Sequence, residues 1–393
     1  MHRSLMRRMT PLRPGLVGKL NERQILRLIQ AHGPISRAEV ARLSGLSPPT
    51  VSKAVASLLT AGLIEETAAS TNARGRPAVN LRLASEVVQV VGIVIDADQC
   101  EVVTAGLDGV LHADPHVFPT PSTYSQLLDT LEQHCRQVIG KGRISTLGIG
   151  VSLPGLIDVG GGRGVLSPNL PYTNGRRPAA DLGERLGVSA VLVHETSALC
   201  LAERHYGQAT DLDDFAVLDI GVGVGLGVMS GGRLLTGHSG LAGEIGHITV
   251  VAEGGHSCGC GNTGCLETEC NDAAFARRVS RKLNREVGFE EAIALARTGR
   301  VPLGKEFHDT AVYLGVAVAA VVNLFNPTAV FVHTRLFEAA DGLFDRVVEF
   351  TRKRALPPSL SDCKIVRARG HKRQGAVAGI VQHLTNAIAG GVE

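Results

Sequence analysis

The sequence predicts an α/β body preceded by a small winged helix-turn-helix head, and three observations carry that prediction. Residues 1–84 hold 13 Lys/Arg against 4 Asp/Glu, a net charge of +9, while the remainder of the chain is net −6. The short helical patterns of that basic head are separated by tight-turn residues and followed by alternating apolar positions. Beyond residue 84, apolar strand-like runs alternate with amphipathic stretches, the pattern of an α/β class with layers on both sheet faces.

At 393 residues the chain exceeds one core, so two or three domains are expected. A basic head on an acidic body points to a nucleic-acid-binding module joined to something else. No apolar run reaches the expected length of a membrane span, and the Arg-containing start lacks the apolar core of a signal peptide. A cytoplasmic protein without membrane partners is the expectation. Eight Cys are too sparse for a disulfide scaffold, and Cys100, Cys135, Cys200, Cys270 and Cys363 read as packing residues.

In the head, residues 1–20 read as a flexible arm and 21–84 as the folded module. Asn21 is placed to cap a first helix carrying Ile25, Leu26, Leu28 and Ile29, which Gly33-Pro34 ends. Ser36, with Glu39 three residues on, has the capping-box pattern for a second helix that turns Val40 and Leu43 inward. After Gly45-Leu46-Ser47, a third helix buries Val51, Val55, Leu58 and Leu59. This leaves Ser47, Pro49, Thr50, Ser52 and Lys53 at its exposed start, where a recognition helix meets base edges in the major groove. A Thr/Ala/Ser/Asn loop, Arg74-Gly75-Arg76-Pro77 and alternating Val79, Leu81 and Leu83 complete a wing. Arg74 and Arg76 at its tip suit a narrow minor groove. The competing reading is a protein-interaction module with a solvated loop, and the +9 charge weighs against it.

The body opens with strands at Val87–Ile95 and Glu101–Leu111, the latter with a turn at Asp108-Gly109, then a helix over 122–140. Strands follow at Ser145–Val151 and Val188–Val193, a helix runs through Ala202, and Phe215–Met229 holds two strands around a glycine-rich turn. The last third is mostly helix around a strand at Ala329–His333.

Gly-Glu-Ile-Gly-His at 243–247 and Cys-Gly-Cys-Gly-Asn-Thr-Gly-Cys-Leu-Glu at 258–267 form the most specific stretch. His247, Cys258, Cys260 and Cys265 are the Cys₃His set of a closed structural zinc site, with Gly259, Gly261 and Gly264 expected to let the loop turn on itself. Glu244 and Glu267 flank the ligands. Their chemistry serves equally for gripping sugar hydroxyls or for binding backbone.

These residues carry a resemblance to the ROK family, the bacterial repressors and sugar kinases whose signature ends in this Gly-Glu-x-Gly-His and Cys-x-Cys-Gly-x-x-Gly-Cys-x-Glu pair. The resemblance covers essentially the whole chain and implies a two-lobed actin-like, RNase H-like body with a sugar and nucleotide cleft between lobes. The lobes would comprise residues 85–195 and 196–393, with the C-terminal helices free to return to the first lobe. The family's kinases carry Asp-x-Gly-Gly-Thr-Lys where this chain has Val94-Ile95-Asp96-Ala97-Asp98-Gln99, so two Asp face the expected phosphate position uncompensated. Gly221-Val-Gly-Val-Gly-Leu-Gly227 keeps the glycines of the second phosphate loop but has Val222 for the hydroxyl. His333-Thr334-Arg335 replaces the adenosine-loop glycines.

The sugar half is better kept. By resemblance Asn169 of Ser-Pro-Asn-Leu-Pro, Glu244, His247 and Glu267 bind sugar. His194 and Glu195 occupy the motif whose acid deprotonates the sugar hydroxyl in kinases, and the extra methylene of Glu195 misplaces its carboxylate for proton transfer. The expectation is a sugar-responsive transcriptional repressor and not an enzyme. It would bind operator DNA as a homodimer or dimer of dimers and carry structural Zn²⁺. The rivals are a working ATP-dependent sugar kinase with a DNA-binding head, and a docking platform for a protein partner.

Overall fold

A computed structural model of the chain describes residues 14–68, 79–140 and 144–388. The head begins with α1 (Pro14–His32), β1 (Ile35–Ser36), α2 (Arg37–Ser44) and α3 (Pro48–Thr60). α1 starts seven residues before the expected Asn21 cap, which lies inside it; proline, whose missing N–H costs a first helical turn nothing, stands at its start. Ser36 caps α2 by accepting from the Glu39 N–H, and Gly45, at φ 69°, closes it in the left-handed conformation that glycine adopts without strain. Ser47 caps α3 in the same way, with Pro48 in its first turn. Leu43, expected inside, is exposed: α2 has only two turns, and Val40 alone of its residues is fully buried.

The wing strands β2 (Ile64–Ala68) and β3 (Val79–Leu83) pair antiparallel, and the two-residue β1, too short to leave an alternating pattern, adds a third strand on β3. Arg74 and Arg76 lie outside the described residues. The head core of Ile25, Ile29, Val55, Leu58 and Leu81 runs without a break into Val90, Val103, Leu107, Val377 and Ile380 of the body. Head and body therefore share one apolar cluster.

The first lobe comprises β4 (Val88–Ile95), β5 (Gln99–Ala105), β6 (His116–Pro119), α4 (Tyr124–Val138), β7 (Ser145–Leu153), the small hairpin β8 (Leu156–Asp158) and β9 (Arg163–Leu166), α5 (Pro178–Leu186) and β10 (Ala190–His194). Its sheet order is β6-β5-β4-β7-β10, with β6, β5 and β4 antiparallel and β7 and β10 parallel to β4. The β4–β5 hairpin turns at residues 96–98, with the Asp96 N–H donating to Gln99 O; the Asp108-Gly109 turn lies beyond β5 and makes a separate bend.

After α6 (Glu195–Tyr206), the second lobe repeats this plan with β11 (Phe215–Ile220), β12 (Val224–Ser230) and β13 (Arg233–Leu234). The zinc-type loop follows, then α7 (Glu267–Cys270), α8 (Asp272–Leu283), α9 (Phe289–Thr298), α10 (Gly304–Phe325), β14 (Ala329–Thr334), α11 (Leu343–Arg352), α12 (Pro357–Ser361) and β15 (Lys364–Arg367). The order β13-β12-β11-β14-β15 reproduces the first sheet strand for strand, so the body is two RNase H-like lobes.

α10 corrects the expectation that no apolar run reaches membrane-span length: its 22 residues are long and apolar enough. Leu314, Ala317, Val318, Val321 and Val322 nevertheless bury it in the core of the second lobe.

The last helix, α13 (Lys372–Ile388), returns to the first lobe. It lies on β4 and β7 so closely that a Cβ on Gly150 would stand 1.9 Å from Ala376 O. Its other side meets α6, where a Cβ on Gly375 would stand 2.6 Å from the Ala198 carbonyl carbon. Glycine is required at both positions because backbone meets backbone there. α6 in turn packs on β11 and β12, so α6 and α13 form the double layer between the two sheets.

Candidate functional site

The loop between β13 and α7 brings its four candidate ligands together. Their donor atoms all lie within 4.8 Å of one another. His247 Nδ1 is 3.5 Å from Cys258 Sγ, and the sulfurs of Cys260 and Cys265 are 3.8 Å apart. A tetrahedral ion with Zn–S bonds of ~2.3 Å requires sulfurs about 3.7 Å apart, so this donor set fits zinc and leaves no position for water. Short backbone bonds shape the loop: Cys258 N donates to Asn262 O and Gly261 N to Cys258 O. Gly261 and Gly264 have φ of 93° and 72°, and a Cβ on Gly264 would meet Val251 O at 1.9 Å. Gly259 has no positive φ, contrary to the role expected of it; it faces Pro168 across the cleft, where a Cβ would stand 3.8 Å from the proline Cβ.

The flanking carboxylates are tied to this loop. His247 Nε2 lies 3.7 Å from Glu244 Oε2, close enough for charge attraction but beyond hydrogen-bond length, while its Nδ1 faces Cys258. Burial pushes the Glu244 carboxyl above its ordinary range. Glu267 opens α7; its Oε2 accepts from the Val224 N–H at 3.1 Å and its Oε1 lies 3.8 Å from Cys258 Sγ. It thus fastens the glycine-rich β11–β12 turn to the metal-type loop. His194, at the end of β10, bonds Thr196 Oγ1 through Nδ1 at 2.8 Å. Together with Ser197 and Glu244 it lines a small hollow whose other wall is apolar, including Leu156, Val159 and Leu235. Asn169 is exposed in the first-lobe turn that approaches the loop through Pro168.

Glu195 is the N-terminal residue of α6, and its Oε2 is 2.8 Å from Lys372 Nζ. The same ammonium is 3.2 Å from Asp96 Oδ2 and 3.8 Å from Asp219 Oδ2. This corrects the reading of Asp96 as an uncompensated charge; Asp98 is the exposed one, in the β4–β5 turn. Burial would raise the Asp219 carboxyl, but the Lys372 charge and a 2.6 Å hydrogen bond with His333 Nδ1 outweigh it and hold it below the usual range. Burial likewise works against the Lys372 charge, yet Glu195, Asp219 and Asp96 together raise its pKa well above the ordinary value. Arg335, in the segment that replaces the adenosine loop, pairs with both oxygens of Glu290 and lies over the Phe289 ring. Asp272 sits against Gly221 through a 2.9 Å backbone bond, and burial raises its carboxyl to about 7.

Lys372, Asp219 and His333 were not found as a unit from sequence. One signal was available: His371-Lys372-Arg373 opens a helix with no acid in its first turn, against the helix dipole. Such bases need carboxylate partners, and Arg373 has one in Glu101.

In the head, Ser47, Pro49, Ser52 and Lys53 are exposed and Thr50 half-buried along the start of α3. The C-terminal end of α6 meets the head. His205 accepts at Nδ1 from Gln30 of α1 and donates from Nε2 to Gln382 Oε1 of α13 at 3.0 Å, a pairing that requires the neutral imidazole. Burial pushes His205 down to about 4, with the nearby Arg204 and Arg27 charges adding to the shift.

A winged helix-turn-helix joined to two RNase H-like lobes, with a Cys₃His loop at the cleft, defines a class of regulator built on a kinase-like body. The ROK family model matches residues 90–386, and a winged helix-turn-helix DNA-binding model matches residues 20–65. The DNA-binding transcriptional dual regulator NagC of Escherichia coli (strain K12) is 30% identical over 398 residues, covering 95% of each chain. The xylose repressor of Bacillus subtilis (strain 168) is 27% identical over 326 residues, covering 82% of this chain and 84% of its own. A solved ROK family transcriptional regulator, described as a homolog of the E. coli MLC protein, superposes with a TM-score of 0.81 at 27% identity, over 95% of this chain and 98% of its own. The chain belongs to the ROK family, and it is one of that family's transcriptional regulators.

Proposed function

We propose that this regulator is a repressor that senses a sugar or sugar derivative in the cleft beside a zinc-braced loop, without phosphorylating it. The observation that carries the reading is the convergence of Glu244, His247 and Glu267 on one Cys₃His loop, opposite His194 and Asn169 from the other lobe. Carboxylates and imidazoles held in fixed positions are the acceptors that a polyhydroxylated ligand needs, and Zn²⁺ on His247, Cys258, Cys260 and Cys265 would keep them in place. Some ROK relatives carry the names N-acetylglucosamine repressor and xylose repressor, which makes aldoses and their N-acetyl derivatives the first effectors to test.

Operator DNA is read by Ser47, Pro49, Thr50, Ser52 and Lys53 of α3, with Arg74 and Arg76 reaching the minor groove from the wing. The protein works in the cytoplasm as a homodimer or dimer of dimers, whose two heads set the operator half-site spacing. Effector acts by shifting a population of lobe arrangements. α6 is the physical connection: Glu195 at one end lines the cleft, and His205 at the other holds α1 of the head.

The test is calorimetric titration of zinc-replete protein with N-acetylglucosamine, xylose, glucose and their phosphates, with and without magnesium nucleotide, followed by operator binding at each ligand. Sugar binding that changes operator affinity supports the sensor. Nucleotide-dependent turnover would replace it with a kinase, and no binding across the panel would replace it with a docking platform.

A further inference from the structure

Lys372 stands at the end of a helix where a cation is least favoured, since the free N–H groups there carry partial positive charge. Three carboxylates from three elements hold it. Asp96 follows β4 in the first-lobe β4–β5 turn, Glu195 begins α6, and Asp219 lies on β11 of the second lobe, at Nζ–O distances of 3.2, 2.8 and 3.8 Å. The Lys372 side chain is only 26% exposed and that of Asp219 only 8%, so solvent screens this group much less than a surface pair. Converging carboxylates of this kind are the donor set of a hard divalent cation, and in this chain one ammonium stands among them. The ammonium is covalently part of the chain, always present, and reaches from the first lobe to the second across the cleft floor.

We propose that Lys372 is the built-in cation of this cleft: its ammonium takes the place that a divalent cation carrying nucleotide phosphates would need, and it positions Glu195 for the effector. Lys372 is therefore a positioning residue. It rests on the sensor reading only for the second of these roles. With Oε2 bound to Lys372, Glu195 presents its other oxygen to a sugar hydroxyl in a fixed direction. Without Lys372 the three carboxylates repel one another, Glu195 is free to turn, and the group becomes a receptor for a divalent ion.

The experiment uses the full chain with zinc bound, as wild type, K372M, K372R and the double variant D96N/K372M. Mn²⁺ is the probe, with free Mn²⁺ read by electron paramagnetic resonance. The expected result is one additional Mn²⁺ per chain in K372M, bound at least tenfold more tightly than by the wild type, and loss of that gain in D96N/K372M. A folded K372M that takes up Mn²⁺ no better than the wild type overturns the proposal. A second arm does not depend on any variant folding: uptake of a magnesium-bound, non-hydrolysable ATP analogue by the wild type, with Lys372 in place, also overturns it. In the same samples, the sugar that binds the wild type is expected to bind K372M at least tenfold more weakly, with K372R recovering part of the loss. If no sugar binds the wild type, the sensor reading fails while the Mn²⁺ arm still decides the role of Lys372. Sugar binding without the Mn²⁺ gain sinks Lys372 alone.

Discussion

Acid should loosen the junction between head and body through one residue, His205. Its ring is half-buried between Gln30 of α1 and Gln382 of α13, in the neutral form that accepts from one and donates to the other. Protonation would turn the Nδ1 acceptor into a second donor facing the Gln30 amide, and would add a charge beside Arg204 and Arg27. The sign follows directly. The folded pKa, about 4, lies below the unfolded value of 6.5, so between these limits the unfolded chain binds the extra proton and stability falls as pH falls. At pH 5 the full linkage amounts to about 2 kcal/mol, and partial exposure of the ring reduces this to roughly 1–2 kcal/mol. The perturbation is His205→Gln, which keeps an amide donor and acceptor but cannot titrate. Urea denaturation of wild type and variant at pH 7, 6 and 5, followed by circular dichroism, should show the variant gaining on the wild type by that amount as pH falls. A stability difference that stays constant from pH 7 to pH 5 would refute the argument. Hydrogen exchange in α1 is the local check: its amides should exchange faster at pH 5 than at pH 7, after correction for intrinsic rates, in the wild type only.

Metal analysis of protein purified without chelator should find one zinc per chain, and Cys265→Ser should abolish it and lower Tm by at least several degrees, since Cys265 is fully buried. Gly264→Ala places a Cβ 1.9 Å from Val251 O at a φ of 72°, so it should cost more than about 2 kcal/mol and weaken zinc retention in a competitive chelator titration, whereas Gly259→Ala should change neither measurement. Lys53→Ala should cost about 1–3 kcal/mol of operator binding and relax the preference at the base pair it faces, while binding to non-specific duplex changes much less, read by fluorescence anisotropy on the operator and on single-base-pair variants of it. Ser36→Ala removes the α2 cap and should destabilise the head by about 1 kcal/mol in thermal unfolding.

What could be read from the chain alone were features whose partners lie within a few residues. Ser36 and Glu39 cap a helix three positions apart, the helix expected over 122–140 is α4, and the four metal-type ligands fall within a single loop. Local geometry is set by dihedral preference and side-chain reach, and both leave a pattern at fixed spacing. The Glu267 bond to the Val224 N–H was already outside that reach, because the glycine-rich turn gave no sign of which acceptor would meet it. Only the folded chain decided that α13 returns to the first lobe, setting Lys372 beside Asp96 and Glu195, and that His205 joins α1 to α13. Charges and amides carry no periodic signature of a distant partner. Their pairing is fixed by the close backbone packing of α13 on β4, β7 and α6, which brings together carboxylates and a lysine from opposite ends of the body.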